Sequence, residues 1–214
     1  MFRTSPLIFN MLLMVAVFLS GCASQLAPNK STSPSLNSEQ RKAKLLNTHK
    51  WQLRGKIAFI EKIVNQKDKR ESASINWRVD EKQKTQKLNL TSFLGINVLQ
   101  LDSNNSFHTI RVDGKEYTDK DLSALIYSLT GLTLPTKALT FWLKGLPYNE
   151  SDLVEINEST KLPKSLSSFY HNALWKIKYS NYQSFNGIDM ATKFSIKKDG
   201  LLIKIAVKKW SLIE

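Results

Sequence analysis

Trp51-Gln52-Leu53-Arg54-Gly55-Lys56-Ile57-Ala58-Phe59 decides the fold class. Trp51, Leu53, Gly55, Ile57 and Phe59 alternate with Gln52, Arg54, Lys56 and Ala58. A period of two places one apolar stripe on one face of a strand, where a helix would repeat every 3 to 4 residues. The pattern recurs at once, with Ala73, Ile75, Trp77 and Val79 set against Ser74, Asn76, Arg78 and Asp80. Residues 63–70 between the two carry Asn, Gln, Asp and Lys and read as a solvated hairpin loop. Working outward, Leu88 to Leu90, Ile96 to Leu101 and Phe107 to Val112 predict three more strands, followed by the tight-turn pair Asp113-Gly114. Strands this close in sequence predict an antiparallel meander.

The period then changes. From Thr118, Thr-Asp-Lys-Asp resembles a capping arrangement, and Leu122, Leu125, Ile126 and Leu129 fall at helical spacing before Gly131. A second short helix is expected from Pro135, carrying Leu139, Trp142 and Leu143 to a stop at Gly145. Both are apolar on one face and must cover something. Strands return over Leu153 to Asn157, Trp175 to Tyr182, Met190 to Lys198 and Leu201 to Trp210, the last two joined at Asp199-Gly200. Residues 158–172, with Pro163 and several serines, suit a loop with one helical turn. On the other side of the opening stretch, Ser38 is a plausible cap for a short helix to about Thr48. The expected fold is mainly β with short α-helices. Nine or more antiparallel strands coil or close into a curved, incomplete barrel, with helices against its concave side.

The 214 residues, 42% hydrophobic, allow one domain or two small ones, and they exclude a disordered or collagen-like chain. The single cysteine, Cys22, excludes intramolecular disulfides, Cys-rich zinc sites and CxxC chemistry. Residues 1–21 read as an export signal, because Arg3 precedes a stretch from Leu7 to Leu19 that is apolar except at Asn10. Leu19-Ser20-Gly21-Cys22 matches a bacterial lipobox, which makes Cys22 the lipidated first residue of the mature chain. Ala23, a residue other than Asp, is the sorting signal for the outer membrane. Residues 22–37, rich in Ser, Pro and Asn, read as the lipidated end and a flexible tether, with the domain spanning 38–214. The net charge of +13 suits nucleic acid, an anionic membrane surface or an acidic protein. A periplasm-facing lipoprotein does not meet nucleic acid, so that partner is set aside.

Catalytic and metal-binding patterns are absent. His49, His108 and His171 are scattered, none at metal-ligand spacing, and there is no GxSxG, HExxH, P-loop or GxGxxG. Asp119 and Asp121 are explained by a first helical turn. No enzyme, metal or cofactor is expected. One turn is anomalous, because Phe93, Leu94, Gly95 and Ile96 stand between two strands where polar residues are usual. These side chains either fold back under the rim of the sheet or form an exposed apolar tip for a membrane or an acyl chain. Trp51, Trp77, Trp142, Trp175 and Trp210 either fill the core or line a pocket.

In order along the chain, Leu19-Ser20-Gly21-Cys22, Trp51 to Ala58, Ser74-Ile75-Asn76-Trp77, Leu88-Asn89-Leu90-Thr91 with Phe93-Leu94-Gly95, Leu125 to Pro135, Trp142 to Pro147 and Ile203-Lys204-Ile205 before Trp210 resemble the LolB family. The resemblance implies a curved half-barrel whose apolar concave side, under a helical lid, holds the acyl chains of a cargo lipoprotein. It implies a receptor anchored in the outer membrane by Cys22. Such a receptor takes cargo from a LolA-type periplasmic carrier as a monomer, without nucleotide. On that implication the cavity or its lid is formed by Trp51, Leu53, Ile57, Ile75, Trp77, Leu90, Leu125, Leu129, Trp142 and Ile205. Leu94 matches the family's membrane-delivering leucine, although Phe93 stands where the family often has Pro. The positive charge is expected to help meet an acidic carrier face or anionic head groups. A lipocalin-like store for a small apolar ligand, an assembly scaffold with a filled barrel and, last, a hydrolase are the alternatives.

Overall fold

The computed structural model describes residues 36–63 and 65–213. The expected leader, Cys22 and nearly all of the tether lie outside the described residues.

The elements run α1 (Ser38–Asn47), β1 (Lys50–Glu61), β2 (Lys69–Asp80), β3 (Thr85–Thr91), β4 (Asn97–Ser103), β5 (His108–Val112), β6 (Lys115–Asp119), α2 (Leu122–Thr130), α3 (Thr136–Trp142), β7 (Leu153–Ile156), β8 (Pro163–Tyr170), β9 (Ala173–Phe185), β10 (Ile188–Lys198) and β11 (Leu201–Ile213). All eleven strands form one sheet in the order β6-β5-β4-β3-β2-β1-β11-β10-β9-β8-β7. Every pairing is antiparallel, and all but one join strands consecutive in sequence. The exception is β1 with β11, which brings two meanders together in mid-sheet, from Lys50 opposite Ile213 to Glu61 opposite Leu201. The sheet stays open, with β6 and β7 as its free edges, and α2 and α3 lie on the path between those edges.

The alternation read in the opening stretch holds, and Trp51, Leu53 and Ile57 are buried on the concave face. Gly55 sits at a bulge, where the register against β11 shifts between Arg54 and Gly55. A Cβ there would lie 2.1 Å from the Ala206 carbonyl oxygen, so only glycine fits.

Four local expectations change. Asn37, not Ser38, caps α1: its side chain accepts from the Gln40 amide at 2.8 Å, and the Gln40 side chain accepts from the Asn37 amide at 3.2 Å. Residues 115–119 form β6 after the Asp113-Gly114 turn, so α2 is capped by Asp121 alone. Pro135 stands just before α3 rather than within it. Residues 163–170 form a strand, in which Leu166 and Ser168 are buried while Ser165 and Ser167 face outward. Serine at both kinds of position hid its period.

The core has two parts. A large cluster beneath β1, β2 and β8–β11 contains all five tryptophans together with Leu45, Ala138, Leu139, Leu143 and Leu146. Its rings meet edge-on or tilted, with Trp51 at 5.4 Å from Trp77 and 5.6 Å from Trp210, and Trp142 at 6.0 Å from Trp175. Two buried cations lock the ends of the helices onto it. Arg41 donates to the carbonyls of Asp189 at 2.8 Å and Lys144 at 3.1 Å. Lys144 donates to Glu81 at 2.7 Å and to the carbonyls of Leu45 and Thr48 at the end of α1. A smaller cluster, Leu101, Ile110, Leu122, Leu125 and Ile126, joins β4 and β5 to α2.

Candidate functional site

Between these two clusters the concave face is hollow. A half-open cavity of about 700 Å³ is lined by β1–β5, α2 and the loop that leaves it, within the ~300–1,000 Å³ range of ligand pockets. Its wall is Leu88, Leu90, Leu99, Leu101, Ile110, Val112, Ile126, Leu129, Leu132 and Leu134, and Phe59 is its one aromatic residue. The charged lining, Glu61, Lys69, Glu71 and Asp113, gathers at one end, and Lys69 pairs with Glu71 at 3.2 Å. Hydrogen-bonding to Glu71 and its charge raise the Lys69 pKa. An apolar wall with a charged rim at one end accommodates an aliphatic chain whose polar end stays outside.

The apolar turn opens beside that cavity. Leu90 and Val98, which flank it on β3 and β4, belong to the wall. Phe93 is 99% exposed, Leu94 78% and Ile96 63%, so the side chains do not fold back under the rim. The Gly95 amide donates to the Ser92 carbonyl at 3.0 Å and the Ser92 amide to the Ile96 carbonyl at 2.8 Å. With Gly95 at φ +80° this is a three-residue hairpin loop that ends in a left-handed glycine. Such a loop accepts most residues at its first position, Phe93 as readily as Pro. Three exposed apolar side chains on so short a loop form a local apolar projection.

The predicted cavity residues divide. Leu90 and Leu129 line the void. Leu125 is buried in the cluster behind α2. Trp51, Leu53, Ile57, Ile75, Trp77, Trp142 and Ile205 are buried in the large cluster and do not reach the cavity wall, because their volume fills the space beneath their strands. The sequence reading missed Leu99, Leu101, Ile110, Val112, Leu132 and Leu134. Their signal was available, since they are inward aliphatic residues on strands and loops without tryptophan.

Ser103 Oγ and His108 Nδ1, opposite each other on β4 and β5, are hydrogen-bonded at 2.5 Å. Burial lowers the His108 pKa, and neither residue lines the cavity. Among the described residues no group of three His, Cys, Asp or Glu side chains is placed to hold a metal ion, and no helix is long and apolar enough to cross a membrane.

The family model for outer membrane lipoprotein LolB matches residues 49–210. The outer-membrane lipoprotein LolB of Aeromonas salmonicida is 32% identical over 206 residues, covering 94% of this chain and 99% of that protein. The Pseudoalteromonas translucida protein of the same name is 29% identical, covering 94% and 93%. Among solved structures, a LolA superfamily protein from Nitrosomonas europaea shares the fold, with a TM-score of 0.51 over 84% of this chain and 95% of that one at 9% identity.

Proposed function

The chain belongs to the LolB family of outer-membrane lipoproteins, and from that premise we propose that it accepts lipoproteins from a LolA-type periplasmic carrier and passes them into the outer membrane. Cys22 holds it there through its acyl chains, residues 22–37 act as the tether, and the domain works as a monomer. The observation that carries the reading is the aliphatic cavity of about 700 Å³ flanked by the exposed Phe93-Leu94-Gly95-Ile96 loop.

The physics follows from the cargo. Each acyl CH₂ exposed to water costs about 0.8 kcal/mol, so a lipoprotein crosses an aqueous space only with its chains covered. A hand-over from carrier to receptor requires only that the second cavity offer more apolar contact than the first, and the bilayer more than either. No nucleotide is needed and no bond is made or broken, so the protein acts as a receptor and not as an enzyme. In the cavity Leu90, Leu129 and their aliphatic neighbours hold the chains. The 93–96 loop then enters the bilayer and gives the chains an apolar path out. The charged rim keeps the head of the cargo outside the cavity.

The test loads a carrier with a lipoprotein bearing a photo-crosslinker on its acyl chain and adds the mature chain with Cys22→Ala. Crosslinks to residues 88–101 and 126–134 without nucleotide support the role. Retention of cargo by a carrier that releases to another receptor overturns it. Capture of a free fatty acid but never of a lipoprotein puts a small-ligand store in its place.

A further inference from the structure

The outward face of the same sheet carries charge that the transfer mechanism does not use. On β9, β10 and β11 the residues alternating with the buried core are Lys176, Lys178, Lys193, Lys204 and Lys208, all exposed. On β1, Lys56 continues the set. Their outward neighbours are small: Lys178 stands between Ser165 and Ser195, and Lys193 between Ser180 and Ala206. Strands ~4.8 Å apart place Lys178 and Lys204, two strands apart in one row, about 10 Å from each other. Lys178, Lys193 and Lys204, with Ser165, Ser180 and Ser195, border a shallow depression of about 570 Å³. The one carboxylate there, Glu155, is already engaged by Lys164 at 2.6 Å and by the Ser165 hydroxyl at 2.7 Å. Among the described residues Lys56, Lys193 and Lys204 form no ion pair.

We propose that this outer face of β9, β10, β11 and β1 is a docking surface for the anionic phospholipid head groups of the membrane, centred on the Lys178, Lys193 and Lys204 depression. The inference rests on the outer-membrane reading above and adds to it a second contact with the bilayer. Three observations favour a lipid surface over a protein partner. Around the Lys178, Lys193 and Lys204 depression the outward neighbours are serine and alanine, and the exposed Leu153, Phe169 and Leu174 lie beyond it, in the rows at and past Lys176, whereas protein interfaces are built on central aromatic or apolar anchors and depleted in lysine. Long ammonium groups separated by serine and alanine suit a surface of many phosphates with no fixed pattern, and the Ser180 and Ser195 hydroxyls add donors for phosphate oxygens. Finally, the outward row that starts at Thr91, beside the apolar loop, runs through Ser74, Lys56, Ala206, Lys193 and Ser180. Cationic face and apolar loop are thus continuous along the sheet, and one membrane can meet both.

The experiment measures co-sedimentation of the mature Cys22→Ala chain, without cargo, with vesicles of phosphatidylcholine alone or mixed with phosphatidylglycerol. Both core clusters lie wholly between Leu45 and Leu212, so this chain carries the complete fold. Phosphatidylglycerol is expected to tighten binding about tenfold at low salt, and salt is expected to weaken that gain. Changing Lys56, Lys178, Lys193 and Lys204 together to Gln should erase the preference, while changing the same four to Arg should keep it. Leu94→Ser, which removes apolar contact without adding charge, should weaken binding to both vesicle types by a similar factor and leave the preference intact. Equal binding of the parent to both vesicles overturns the proposal. So does a preference that survives the fourfold Gln substitution, or one that Leu94→Ser alone removes. Because no cargo is present, failure here leaves the crosslinking test of cargo acceptance untouched, and the reverse also holds.

Discussion

Under one continuous sheet, the half beneath β8–β11 and the Trp51 and Trp77 ends of β1 and β2 is filled, and the half beneath the other ends of β1 and β2 and beneath β3–β5 is hollow. Both have the same alternating pattern and the same apolar inward face. They differ in what stands on that face. Trp51, Trp77, Trp142, Trp175 and Trp210 and the Tyr179–Phe194 pair occupy the filled half, where α3 enters as a plug with Trp142 fully buried. Leucine, isoleucine and valine line the other half, with α2 laid over them as a lid. A curved sheet encloses a fixed space, and aliphatic side chains of this size do not fill it. The contrast shows how one fold combines a filled frame with an open chamber: bulk is concentrated on one side and withheld from the other.

The largest effect belongs to the frame. Trp142→Ala removes a fully buried indole and leaves Asp152, which accepts the indole N–H at 3.1 Å, short of a donor. The loss should be about 3–5 kcal/mol, read as a lower urea midpoint. If it were below that of a surface substitution, the two halves would not differ in packing.

Filling the chamber should do the opposite. Leu129→Trp places an indole in the void and is expected to cost under about 1 kcal/mol, against the ~1–3 kcal/mol of overpacking a filled core. Crosslinking of cargo acyl chains should fall sharply in the same variant. A strongly destabilised but fully competent Leu129→Trp protein would move the chamber elsewhere.

The loop should be nearly silent in stability. Leu94 is 78% exposed, so Leu94→Glu should change the unfolding free energy by no more than ~0.5 kcal/mol. Cargo acceptance should survive while release into vesicles slows, because a carboxylate must now approach the hydrocarbon. Loss of acceptance together with release would make the loop part of the chamber.

Acid should act weakly, and on the hollow half. His108 on β5 faces Asp119, Asp121 and Lys137, and burial outweighs the carboxylates to set its pKa below the ordinary histidine value. A folded pKa lower than the unfolded one means that the unfolded chain binds the extra proton first. The contribution is therefore whole above about pH 6.5 and declines as pH falls from there through the lowered folded value. Amide exchange in β4 and β5 should rise over that window, and His108→Gln should remove the pH dependence. An equal rise in β9 and β10 would contradict the assignment to this half.

Much of this was legible in the residues. The strands around Trp51 and Trp77, the hairpins at Asp113-Gly114 and Asp199-Gly200, and the helices ending at Gly131 and before Gly145 all follow from period and turn chemistry. The Phe93-Leu94-Gly95-Ile96 turn was recognisable because apolar residues there contradict what a turn needs. Strand β8 was hidden because Ser165, Ser167 and Ser168 give no contrast between inward and outward positions, and only pairing with β9 reveals it. The cavity wall was half visible: Leu90 and Leu129 were named, whereas the tryptophan-bearing positions named with them proved to be core.

What the sequence by itself determined is which side of most strands is apolar and where the chain turns between them. These are local properties, set by neighbouring residues. What only the tertiary structure decided is where the apolar face is left uncovered. That depends on the pairing of β1 with β11, on which helix lies over which strands, and on the summed volume of side chains distant in sequence. Periodicity gives the direction of a side chain but not the space it meets, and an empty volume belongs to no single residue.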